Sequence, residues 1–210
     1  MWYDVFSLFY DRALEDLYAP FRPAAVKAMR LSGGETVLDL PCGTGQSFNG
    51  LAAAVGDTGA VLGVDASGGM LRKAERRVRR EGWTHVQTKQ ALAKDIDATW
   101  LSRAIGQPEV DGILCAIGLT ALPEWEATFE QLFSCLRAGG RFVLFDVYAA
   151  ERTRQTASVE RVARADLSRE VWRPLEARCE DFERTILPAD AKTFGGELYV
   201  AAGTKTEGLP

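Results

Sequence analysis

The sequence predicts an α/β fold: a mostly parallel sheet covered by helices on both faces and closed by an antiparallel hairpin. Three observations carry this reading. Short apolar runs alternate with amphipathic helical segments along most of the chain. The first of these runs leads into a glycine turn that opens a helix. The last two runs follow one another without a helical segment between them, which forces an antiparallel pairing.

The elements follow in order. Between Trp2 and Tyr18, apolar side chains recur at helical intervals, among them Trp2, Phe6, Phe9, Tyr10, Leu14 and Leu17. A second helix opens at Pro23, runs to Leu31, and stops at Ser32-Gly33-Gly34. Thr36 to Leu40 is a buried strand, Gln46 to Val55 a helix, and Ala60 to Val64 a second strand ending at Asp65. Ser67 begins a helix that lasts to Glu81. Thr84 to Thr88 and Val110 to Cys115 are the third and fourth strands. Pro123 opens a helix that ends at Ala138-Gly139-Gly140, and Arg141 to Val147 is the fifth strand. Ala157 to Arg178 reads as one charged helix, followed by the hairpin strands Phe182 to Leu187 and Leu198 to Ala202. The chain is therefore expected to be one domain: an N-terminal helical lid over residues 1–31, a core over 35–148, a charged helical segment over 149–180 and a hairpin over 181–204.

Composition narrows the function. With 47% apolar and 26% charged residues, the chain has the make-up of an ordinary globular protein. A net charge of -4 argues against a nucleic-acid partner. The N-terminus lacks the charged and apolar regions of a signal peptide, and no run approaches the ~20 apolar residues of a membrane span. Cys42, Cys115, Cys135 and Cys179 stand far apart with no C-x-x-C spacing. They are read as reduced thiols of a cytoplasmic protein, with no metal site expected. Cys42 is expected to fill space beside the glycine turn.

That turn, Asp39-Leu40-Pro41-Cys42-Gly43-Thr44-Gly45, follows a strand and precedes a helix. Glycine lets the backbone bend sharply and approach a ligand closely. Dinucleotides and S-adenosylmethionine both use such a turn, and two neighbours discriminate. The third glycine of a dinucleotide fingerprint would fall on Phe48. The carboxylate of Asp39 would repel a pyrophosphate at the helix N-terminus but attract the ammonium of a methionine moiety. Asp65, closing the second strand, can accept both hydroxyls of a ribose; its plain alternative is a turn or cap aspartate ahead of the next helix.

On these residues the chain resembles the class I S-adenosylmethionine-dependent methyltransferases. D-L-P-C-G-T-G is similar to their first motif, Gly63-Val64-Asp65-Ala66-Ser67 to their second acidic strand end, and Val110-Asp111-Gly112-Ile113-Leu114 to their fourth strand. Leu136-Arg137-Ala138-Gly139-Gly140 resembles their turn into strand five, and Trp2-Tyr3-Asp4 with Phe9-Tyr10-Asp11 resembles the first helix of the UbiE-like quinone and phospholipid branch. The resemblance implies a Rossmann-like three-layer sandwich, its seven-stranded sheet ordered 3-2-1-4-5-7-6 with strand 7 antiparallel. It implies S-adenosylmethionine as cofactor, held by Tyr10, Asp39, Gly43, Thr44, Gly45, Asp65, Ala66, Met70, Gln90, Ala91 and Cys115. Two positions depart from the family pattern. Pro41 stands for the usual first glycine, and Gln90-Ala91 for an acid-alanine pair that reads the adenine amino group; Asp95 or Asp97 are the alternatives to Gln90.

Methyl transfer from a sulfonium asks the protein chiefly for positioning, and a base only where the acceptor arrives protonated. No catalytic residue is singled out. The single histidine, His85, lies at the start of the third strand, far from the carboxyl ends where ligands bind, and is read as a surface or packing residue. Asp146 and Tyr148, at the end of strand five, are the candidates to touch substrate. The exit of strand four, Cys115-Ala116-Ile117-Gly118-Leu119, is apolar and suits a small, largely apolar acceptor, lipid- or quinone-like. The basic residues Arg72, Lys73, Arg76, Arg77, Arg79 and Arg80 are read as a solvated helix face. The competing functions are a nicotinamide dehydrogenase and a catalytically silent S-adenosylmethionine-binding protein of the same fold.

Overall fold

The computed structural model describes residues 17–206. Its sheet has seven strands: β1 (Thr36–Asp39), β2 (Ala60–Asp65), β3 (Val86–Gln90), β4 (Val110–Ala116), β5 (Leu136–Tyr148), β6 (Glu183–Ile186) and β7 (Glu197–Thr204). They are ordered β3-β2-β1-β4-β5-β7-β6. β7 runs antiparallel to both of its neighbours, and the other pairings are parallel. The helices are α1 (Arg22–Ala28), α2 (Phe48–Val55), α3 (Gly68–Glu81), α4 (Ala98–Ile105), α5 (Trp125–Ser134), α6 (Arg154–Ala163), α7 (Arg173–Arg178) and α8 (Ala191–Phe194). None in the described residues is long and apolar enough to cross a membrane.

Alternation along the strands splits the core into two layers. Val37, Val61, Leu114, Val143 and Phe145 lie on one face, under α1 and α2. Leu38, Leu62, Ile113, Phe142 and Leu144 lie on the other, with Phe129, Phe133, Trp172 and Tyr199. Strand register then fixes what stands above the sheet: Asp39 is level with Gly63 and Leu114, and Asp65 with Gln90. Asp39 and Asp65 therefore share the first face, at the carboxyl ends of adjacent strands.

Local chemistry explains the boundaries. Ser67 caps α3 by accepting from the Met70 N–H at 3.3 Å, and Gly82 ends it in the left-handed conformation. On α3, Arg72, Arg76, Arg79 and Arg80 are exposed, as expected of a solvated face, whereas Lys73 and Arg77 are half-buried. Asp97 caps α4 through the Trp100 N–H at 2.6 Å. This helix escapes a periodicity reading because of its eight residues only Leu101 is fully buried.

Four expectations change. β3 lies two residues further on than expected, because Val86 pairs with Val61 and Gln90 with Asp65. α5 stops at Ser134, and β5 begins at Leu136, whose backbone is already level with Val110. The strands β6 and β7 are joined through the short helix α8 rather than directly, yet still pair antiparallel. Finally, the charged helix expected from Ala157 to Arg178 is two helices separated by residues 164–172. Arg164 ends the first of them with a φ of 52°. The break has a packing cause: Leu167 joins the core of the first face, whereas Val171, Trp172 and Leu175 join that of the second. A continuous helix could not wrap the sheet edge to reach both.

Of the segment expected as a lid, residues 1–16, including Tyr10, lie outside the described residues. The described part packs inward. Tyr18 is buried beside Phe145 and Phe194, with ring centroids 6.0 and 5.1 Å away, and Ala25 and Met29 of the next segment are buried too.

Candidate functional site

The site is built at the carboxyl ends of β1, β2 and β4. Both glycines of the turn adopt positive φ, 56° at Gly43 and 75° at Gly45. At Gly45 the reason for glycine is internal: a Cβ would stand 2.5 Å from the ring of Phe48. The same ring fills the notch over Gly63, so the bulky residue that breaks the dinucleotide pattern is housed by two glycines and fully buried. Gly43 differs. A Cβ there would meet nothing within 4 Å, so its side faces open space and only its backbone conformation demands glycine. Cys42 is buried beside this turn, its Sγ near Gly63, as expected.

Asp39 is 1% exposed, and neither carboxylate oxygen has a hydrogen-bond partner among the described residues. A buried, unpaired acid is costly as a carboxylate. Burial pushes its pKa up to about 7, against the lowering charge of Arg22 and with a further rise from Asp65. The Thr44 hydroxyl is also buried without a partner. Arg22, at the start of α1, donates to Gln46 Oε1 at 2.7 Å and Ser47 Oγ at 3.1 Å, tying α1 to the entry of α2. Nothing in the sequence pattern marks Arg22, because its proximity to Asp39 is purely tertiary.

Asp65 joins two turns. Its Oδ2 accepts from the Gly43 N–H at 2.9 Å and its Oδ1 from the Ser67 N–H at 2.8 Å. The turn role expected as its plain alternative is therefore real. Gln90 lies level with Asp65 and donates its Nε2 to Ala66 O at 2.9 Å, which leaves Oε1 as an acceptor. Ala91 donates its N–H to Asp65 O at 3.3 Å, and Met70 is half-buried in the first turn of α3. Asp97 is committed to capping α4, and Asp95 is exposed.

Three expected residues fall elsewhere. Cys115 is buried in the core of the second face, its thiol pushed up by burial, so its side chain is turned away from Asp39. Asp146 lies on that second face as well, 1% exposed, accepting from Thr120 Oγ1 and from the Val147 N–H, both at 2.9 Å. Burial raises its pKa to about 6, opposed by those donors. Tyr148 packs edge-on against Trp172 at 4.7 Å and belongs to the same face. His85 precedes β3, at the end of the sheet away from the glycine turn.

A glycine turn with open space at Gly43, a buried carboxylate without a hydrogen-bond partner among the described residues, and a second carboxylate at the next strand end fit the amino-acid and ribose ends of S-adenosylmethionine. The comparisons agree. Residues 37–140 match the family described as methyltransferase domain. The chain carries a methyltransferase domain. The domain is 27% identical over 129 residues to a demethylmenaquinone methyltransferase of Anoxybacillus flavithermus, covering 61% of this chain and 52% of the relative. A protein of the same name from Staphylococcus saprophyticus is 29% identical over 126 residues, 60% of this chain and 50% of the relative. The match thus spans about half the length of these curated relatives.

Solved structures share the methyltransferase fold. A SAM-dependent methyltransferase from Aquifex aeolicus has a TM-score of 0.60 at 20% identity, over 90% of this chain and 92% of that one. Geranyl diphosphate C-methyltransferase from Streptomyces coelicolor, in complex with S-adenosyl-L-homocysteine, has a TM-score of 0.72 at 16% identity, over 90% and 76%.

Proposed function

We propose that the chain transfers a methyl group from S-adenosylmethionine to a small, largely apolar, quinone-like acceptor. The observation that carries this reading is Asp39, a buried carboxylate at the mouth of the glycine turn whose two oxygens have no hydrogen-bond partner among the described residues. Such a group is stabilised by an ammonium brought in by a ligand, and destabilised by the phosphates of a dinucleotide.

When bound, S-adenosylmethionine would supply a sulfonium-activated methyl group, passed in line to the acceptor with S-adenosylhomocysteine as the leaving group. The residues of the chain hold and orient it. Asp39 takes the ammonium, the turn at Gly43 to Gly45 admits the backbone-close part of the ligand, and Asp65 takes the ribose hydroxyls. Gln90 Oε1, beside Ala91, accepts from the adenine amino group. Holding the acceptor in line supplies most of the rate, since effective molarities alone are worth ~7–11 kcal/mol. An apolar acceptor is supported by the curated relatives' name, by the apolar exit of β4, and by the aromatic group Tyr18, Phe21, Phe145 and Phe194 on the Asp39 face.

Calorimetric titration tests the donor half: S-adenosylhomocysteine is expected to bind and NAD is not. Release of S-adenosylhomocysteine from S-adenosylmethionine and a short-chain demethylmenaquinol tests the rest. Binding without release, over a broad panel of acceptors, would mark a silent cofactor-binding protein.

A further inference from the structure

The exit of β4 carries a conformation that the strand pattern does not explain. Residues 112–120 are buried except Ile117, which is half-exposed. Ala116 belongs to the Asp39 face and Cys115 to the opposite one, so alternation would send Ile117 with Cys115. Instead Ile117 packs on the Asp39 face, and its φ is 54°. For a β-branched residue that left-handed backbone is an outlier, maintained only where the surroundings over-determine it.

Contacts from three sides do so. The Ile117 N–H donates to Phe145 O at 2.7 Å. Gly118 lies flush on the Pro41 ring, where any Cβ would collide. Thr120 Oγ1 donates to the buried Asp146 at 2.9 Å, while Thr120 O accepts from the Asp166 N–H at 2.9 Å. Arg169 donates to Leu122 O at 2.5 Å and is itself held by Asp166 at 3.1 Å. β1, β5 and residues 164–172 thus converge on one short loop.

We propose that Asp146, Thr120 and Arg169 are positioning residues that lock Ile117 in its left-handed conformation, so that its side chain stands on the Asp39 face as a fixed apolar wall for a planar acceptor. This rests on the methyl-transfer reading and assigns the acceptor side of that same site. It also gives Asp146 a role from the far face of the sheet, through Thr120 rather than by contact with substrate.

The test uses the whole chain and two kinds of readout. One is calorimetric affinity for S-adenosylhomocysteine. The other is equilibrium binding of a short-chain demethylmenaquinone to the S-adenosylhomocysteine-loaded protein, with KM and kcat for the corresponding quinol. Ile117→Ala is expected to weaken quinone binding and raise KM roughly tenfold, with kcat changed less, as for loss of apolar contact in a pocket. Thr120→Val and Arg169→Met are expected to move the same way, Thr120→Ser to restore binding, and S-adenosylhomocysteine affinity to stay within about twofold throughout. Thr120→Val added to Ile117→Gly is expected to do nothing more, because the wall is already gone.

Unchanged quinone affinity in Ile117→Ala and Thr120→Val, with only thermal stability lowered, would overturn the proposal. So would a wild-type protein that binds S-adenosylhomocysteine but not the quinone, a result that leaves the donor reading standing. Failure to bind S-adenosylhomocysteine at all would take both down.

Discussion

Asp39 feels burial and charge in opposite senses. Burial raises its pKa to about 7 while Arg22 pulls it down. Because the folded value exceeds the ordinary aspartate value of 3.8, Asp39 favours folding of the free protein below that pH, and the contribution is lost as pH rises to about 7. Ligand binding has the opposite sign, since an ammonium requires the carboxylate. S-adenosylhomocysteine is therefore expected to bind with release of a proton near pH 6 and almost none near pH 8.5, roughly tenfold more weakly per unit below 7. Calorimetry in buffers of different ionisation enthalpy measures this, and Asp39→Asn should abolish it. The two glycines should separate as well. Gly45→Ala drives a Cβ into Phe48 at 2.5 Å and is expected to destabilise the fold by about 1–3 kcal/mol in denaturant titration. Gly43→Ala meets no atom of the described protein, so it should leave a folded chain that is strained at φ 56° and impaired in ligand affinity. The glycine turn and both acids were legible in the sequence because the turn is local and acids at strand ends repeat with the strands. Arg22 and Ile117 were not, since their placement depends on α1 folding back and on a backbone reversal that no residue type announces.

At the scale of elements, one side chain joins three of them at the amino end of the sheet. Arg141 of β5, with its side chain 6% exposed, donates to Ala28 O next to Met29, to Asp181 at 2.6 Å and to Glu183 of β6 at 2.6 Å. Arg141→Leu would take this donor from the Ala28 carbonyl, and would leave Glu183 with Arg30 and Asp181 with Arg30 and Thr204. A loss of about 1–2 kcal/mol is expected in denaturant titration, chiefly from the unpaired carbonyl, because both acids are partly exposed and keep Arg30. Helices with clear caps or apolar periodicity, such as α3, matched their expected bounds closely. The charged segment did not, because its apolar residues were read as one helical stripe when they serve the two faces separately. β5 likewise begins earlier than its apolar run, its first residue placed by the backbone of β4 rather than by hydrophobicity.

For the whole molecule, binding the cofactor only in the folded state must stabilise it by mass action. S-adenosylhomocysteine at ~100 times its dissociation constant should contribute about 2.7 kcal/mol. For a chain of 210 residues that is a rise in Tm of roughly 5–10 °C, read by a thermal scan; NAD should give none, and Asp39→Ala should lose most of the effect. By itself the sequence determined the fold class, the strand order through its family resemblance, and the turn with its two acids. Each of these is written in near neighbours: periodicity, glycine spacing, and residues at strand ends. Only the tertiary structure decided that Asp39 has no hydrogen-bond partner among the described residues, that Cys115, Asp146 and Tyr148 face away from it, and that Ile117 is turned toward it. Those outcomes depend on which face a strand end presents and on what packs above it, and contacts between residues distant in the chain set both.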